Sequence, residues 1–151
     1  MPEENRVSIE LTEEQKTNIN NGIDAIESAF EDRLIALSKG ERQQLPKMSD
    51  KTIPFVDKTL AYVKSNPEFA PPYMDSEELD VDFQAVKDLN LIYNRLFQLI
   101  SNLDDTIMLS GSEAYVTSLQ YYNTVKVASR MNIPGAKVIY EDLKTRFPGS
   151  G

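Results

Sequence analysis

Apolar residues recur at three- and four-residue spacings along almost the whole chain, the period of an amphipathic helix. The clearest run is Val86, Leu89, Tyr93, Leu96, Ile100, Leu103, Ile107 and Ser110, which alternates three and four without a slip. Spacing of this kind, held over more than three heptads, makes a coiled-coil type of seam. Ile92, Phe97 and Leu99 widen it, and a wide stripe suits a helix inside a bundle better than a bare two-stranded coil. The pattern predicts a central helix over about 79–109.

The remaining segments carry the same period between helix start and stop signals. Thr12 with Gln15 forms a capping box, and Glu13 and Glu14 suit the positive end of the helix dipole. Ile19, Ile23, Ile26, Phe30, Leu34 and Leu37 then extend a first helix to about 37, and Ser38 with Glu41 caps one further short turn. A second helix over 50–65 carries Ile53, Val56, Leu60 and Val63, with Pro54 in its first turn, where a missing N–H costs least. Gly111 interrupts the pattern and Ser112 follows as an N-cap, which predicts a separate helix over 112–131. Pro134 suits the first position of a short C-terminal helix over 134–147.

The expected fold is therefore all-α, a helical bundle of four main helices (12–37, 50–65, 79–109, 112–131) plus the short C-terminal one. Residues 1–11 are expected to be flexible or extended, 12–148 a single domain and 149–151 a tail. The segment "NPEFAPPYMD", residues 66–75, holds three prolines in six residues and reads as extended. It is expected to cross the bundle, pinned by Phe69, Tyr73 and Met74.

Composition narrows the chemistry. The 151 residues include 24 acidic and 16 basic ones, for a formal net charge of −8. Phosphate backbones and anionic membrane surfaces need a basic face, so neither nucleic acid nor membrane is an expected partner. The chain has no cysteine and no histidine, which removes the thiolate nucleophile, the commonest general base and the commonest metal ligand. The start, "MPEENRVSIELTEEQ", is acidic where a signal peptide is basic and then apolar. A soluble, cytoplasmic protein is the expectation.

Four separated stretches, "LPKMSDKT", "NPEF", "LDDTIMLSGSEAYVTSLQYYNTVK" and "PGAKVIYEDLKTRFPG", resemble in the same order a family of small uncharacterised bacterial helical proteins. The resemblance covers about Leu11 to Pro148. It implies a bacterial source and a compact helical domain, and it carries no activity to transfer.

Candidate sites are few. Asp104, Asp105 and Glu113 are the acids nearest one another in the helical scheme, but adjacent acids on a helix do not face each other. Two Glu-x-x-His pairs, the usual dinuclear site of a bundle, are absent. Ser118 and Lys126 lie two turns apart, too far for a dyad. Lys126 sits at the margin of an inward face, and Asp104 is its expected ion-pair partner if the third and fourth helices run antiparallel. Tyr115, Ser118, Tyr122, Val125 and Ser129 form one face of the fourth helix, either packed or lining a pocket.

These observations argue for a non-enzymatic protein acting through protein contacts, as an adaptor, an accessory subunit or a self-associating scaffold. No cofactor or metal is expected, and a homo-oligomer or a protein partner is. The alternative is a bundle that binds a small apolar ligand in a tyrosine-lined pocket. Tyr115, Tyr122, Lys126 and Asp104 are the candidate ligand or partner residues.

Overall fold

The computed structural model describes residues 5–147, and every regular element in them is helical. These are α1 (Glu13–Phe30), α2 (Lys39–Gln44), α3 (Ile53–Ser65), α4 (Ser76–Arg130) and α5 (Ala136–Arg146), with a 3₁₀ turn over Pro67–Phe69. The all-α expectation holds. Residues 1–4 of the expected N-terminal segment and the 149–151 tail lie outside the described residues.

Local chemistry explains most of the boundaries. Thr12 and Gln15 close the expected capping box, Gln15 N donating to Thr12 Oγ1 at 3.1 Å and Thr12 N to Gln15 Oε1 at 2.9 Å. Ser38 and Glu41 repeat it at the start of α2. The first helix ends at Phe30 rather than 37, because Glu31 and Asp32 both take left-handed backbone angles, φ 52° and 57°. At the end of α4, Asn132 takes φ 57°, its N–H reaches Ser129 O, and Ile133 N reaches Ala128 O. That pair of bonds is a Schellman motif, which satisfies the last carbonyls and turns the chain. Gly135, at φ 84°, then caps α5, so this helix starts at Ala136 and not at Pro134.

The largest departure concerns Gly111. The two helices expected over 79–109 and 112–131 are one helix, α4, of 55 residues. A glycine inside a helix costs about 1 kcal/mol relative to alanine and does not by itself force a break. Gly111 keeps negative φ here, and Ser112 lies within the helix instead of capping one. Strong helix formers on both sides outweigh the one weak position.

The chain forms two compact units, one of Leu11–Phe97 and one running from Gln98 onward together with the segment up to Glu10. In the first, the buried side chains are Leu60 of α3 and Phe83 of α4. Lys64 Nζ pairs with Asp80 Oδ2 at 3.3 Å beside them, tying the end of α3 to the start of α4. In the second, Val125 of α4 and Ala136 of α5 are buried. Tyr122 stacks on Phe147 with ring centroids 5.0 Å apart and planes 7° apart, and tilts against Tyr140 at 5.7 Å. Arg6 N donates to Glu113 Oε1 at 2.7 Å, which fastens the N-terminal segment to α4.

Residues 66–75 do not run extended. Asn66 caps α3, Ala70 N bonds to Pro67 O, and Met74 N to Pro71 O, so the segment coils up at the end of α3. Phe69 and Tyr73 pin nothing: they are exposed, Tyr73 at 90%. Three prolines exclude regular helix, yet each fixes φ at a value that tight turns also use.

Burial is low throughout. The accessible surface is 13459 Å², whereas two separate globules the size of these units would expose about 9,300 Å². Much apolar surface that the sequence marks as inward-facing is therefore uncovered in the single chain.

Candidate functional site

Large apolar side chains are exposed on α1, α3, α4 and α5, and α4 carries the most of them. Phe83 near the start of α4 is only 4% exposed, and Val125 near its end is buried. Between them, Leu89, Ile92, Tyr93, Phe97, Leu99, Ile100, Leu103 and Ile107 each leave 41–68% of their surface open. Leu89, Tyr93, Ile100, Leu103 and Ile107 belong to the predicted seam, and Ile92, Phe97 and Leu99 are the residues that widen it. Tyr93 and Phe97 stack on each other at 5.9 Å, which orders them on the open face. Contiguous apolar patches of this kind mark contact surfaces in soluble proteins. The stripe of α1 is likewise open, with Ile19, Ile23 and Ile26 exposed.

The tyrosine face is a packing face with a small cleft. Tyr115, Ser118, Leu119 and Tyr122 of α4, Leu143 and Arg146 of α5 and its C-cap Phe147 line an open cleft of about 170 Å³. Ligand pockets run to roughly 300–1,000 Å³, so a drug-sized molecule does not fit there. Desolvation, and then a hydrogen bond with Tyr140, push the phenol of Tyr122 above its ordinary value. Its hydroxyl is thus engaged within the helix pair. Ser118 Oγ donates to Ala114 O at 2.8 Å and is spent on its own helix.

The structure brings Tyr115 and Tyr122 together and separates Asp104 from Lys126. An unbroken α4 places those two 22 positions apart on one axis, about 33 Å at 1.5 Å per residue. The expected ion pair required a turn near 111 and does not form. Asp104 is exposed beside the open seam, and Lys126 is half-buried near Val125. Glu113 is taken up by Arg6 N. Among the described residues, no three acidic side chains gather closely enough to hold a metal ion.

A larger space went unnoticed in the sequence. Tyr62 and Val63 of α3, its cap Asn66, and Phe69, Ala70 and Met74 of the following turn line an open groove of about 500 Å³. Its signal was the proline spacing, which fits a coiled turn as well as an extended strap. Phe83 lies outside the predicted seam. Leu79, Phe83 and Val86 continue the seam's spacing one step toward the N-terminus, and that extension would have pointed to the most buried side chain.

Among the described residues no helix is long and apolar enough to cross a membrane. Comparison with protein-family models, with curated proteins and with solved structures finds no match for the chain.

Proposed function

We propose that this chain is a non-enzymatic helical protein that works by associating with protein surfaces through the middle of α4. The observation that supports this reading is the seam: Leu89, Tyr93, Ile100, Leu103 and Ile107 stand at coiled-coil spacing on α4, each 44–68% exposed. An apolar helix face in water is stable only when it is buried against another element. The absence of histidine and cysteine from the sequence points the same way, since it leaves few residue types for acid–base or nucleophilic work.

Ile100→Lys tests the reading by placing a charge in the seam. The expected result is loss of association in light scattering with helix content retained in circular dichroism. The contrary result is a wild-type monomer at millimolar concentration whose unfolding midpoint falls with Ile100→Lys. That behaviour would put Ile100 in the chain's own core.

A second reading, binding of a small apolar ligand, is favoured by the space between α3 and the turn that follows it, whose volume lies in the range of ligand pockets. One-to-one binding of an apolar fluorescent probe, abolished by Ala70→Trp, supports it. Binding that ignores this substitution counts against it.

A further inference from the structure

We infer that the groove between α3 and the turn after it binds a medium-chain carboxylate, its alkyl tail along the groove and its anionic head on Lys58. This rests on the second reading above, binding of a small apolar ligand, and adds the class of ligand and its orientation.

Every part of the site comes from one short run of chain. Thr59, Tyr62, Val63 and Asn66 recur at helical spacing and share one side of α3 and its cap. The turn keeps its shape through its own backbone bonds, Phe69 N to Asn66 O at 3.3 Å, Ala70 N to Pro67 O at 3.1 Å and Met74 N to Pro71 O at 2.9 Å. Val63, Ala70 and Met74 are half-buried, while Tyr62 and Phe69 stand 60% and 82% exposed. Open rings beside half-buried aliphatic carbon offer apolar area that a slender tail can cover. A groove of about 500 Å³ has the size that takes small molecules.

The polar groups decide which head the ligand carries. Thr59 Oγ1 donates to Phe55 O at 2.7 Å. The Asn66 amide accepts from Ser65 Oγ at 2.9 Å and donates to Glu68 Oε1 at 3.1 Å. Both lining groups are thus engaged within the chain, and Lys64 is taken by Asp80. Lys58 differs. Its Nζ lies 5.8 Å from the centre of the Tyr62 ring, and among the described residues it has no carboxylate partner. One turn before Tyr62, it sets a positive charge at one end of the lining. Asp57, two positions before Thr59, falls on the other side of α3. Glu68 stands at the opposite end, beside Asn66. Charge therefore runs from positive at Lys58 to negative at Glu68, which orients an anionic amphiphile. A cationic head is disfavoured on Tyr62, because an ammonium already lies over that ring.

Length agrees with this placement. Lys58 and Asn66 are eight positions apart, about 12 Å along the helix. With bonds of about 1.5 Å, an extended alkyl chain advances roughly 1.3 Å per carbon, so about nine carbons span the groove.

Octanoate, octanol and octyltrimethylammonium, competing with the neutral dye N-phenylnaphthylamine, test the assignment on the full chain. Octanoate and octanol are both expected to displace the dye, and Ala70→Trp to abolish both. Lys58→Gln is expected to weaken octanoate relative to octanol by about two- to fivefold, the scale of an exposed ion pair. Added salt is expected to act in the same direction. Lys58 is exposed, so circular dichroism should show the helices of this variant intact. An octanoate-to-octanol ratio that Lys58→Gln leaves unchanged overturns the anionic head and leaves the apolar groove standing. Tighter binding of octyltrimethylammonium than of octanoate also overturns it and moves the head to Glu68. Displacement that ignores Ala70→Trp, or none at all, overturns the groove reading and this inference with it.

Discussion

Two glycines with opposite demands show how single residues set this backbone. Gly111 sits within α4 at ordinary helical angles, and a Cβ built on it meets nothing within 4 Å. Gly111→Ala is therefore expected to stabilise the chain by about 1 kcal/mol, the helix-propensity difference. Gly135 adopts φ 84°, where an L side chain costs about 1–2 kcal/mol. Gly135→Ala is expected to destabilise by that amount although its Cβ would also meet open space. Urea titrations of both variants check the pair; a destabilised Gly111→Ala would mean that the helix bends or opens at that point. The sequence showed Gly111 as a punctuation mark because glycine occurs far more often at helix ends than inside. Nothing local revealed that the helix would continue through it. The capping boxes at Thr12 and Ser38 were legible because each bond is made within four residues.

Among elements, the hairpin of α3 with the start of α4 rests on burial more than on charge. Phe83 is 4% exposed, and truncating a buried phenylalanine costs about 3–5 kcal/mol. The Lys64–Asp80 pair, whose two side chains are each more than half exposed, is worth about 0–1 kcal/mol at such exposure. Phe83→Ala should thus unfold or loosen this unit, and Lys64→Ala should scarcely register in the same thermal melt. Equal losses from the two would show that the ion pair organises the hairpin. Periodicity is enough to place both helices, because a stripe of Ile53, Val56, Leu60 and Val63 suits only a helix with one covered side. What covers that side was not readable: it depends on a turn of three prolines whose tight form and extended form share the same φ. The tyrosine face fared similarly. Tyr115 and Tyr122 were recognisable as one face, whereas the ring that fills it, Phe147, comes from a helix whose approach is set by the Schellman turn at Asn132.

At the scale of the molecule, the decisive quantity is the apolar surface left open. The seam was the strongest pattern in the sequence, and all of its residues lie on α4. Period alone does not say whether the covering helix belongs to the same chain. The continuity of α4 through Gly111 removes the neighbour that the sequence suggested, a fourth helix folded back on the third, and with it the Asp104–Lys126 pair. The association proposed above draws on that spacing. An account built this way stands or falls on mass in solution. Static light scattering of the wild-type chain at tens of micromolar is predicted to give a mass above the 17.1 kDa of one chain. A mass of 17.1 kDa at that concentration, with the helices intact, would contradict it.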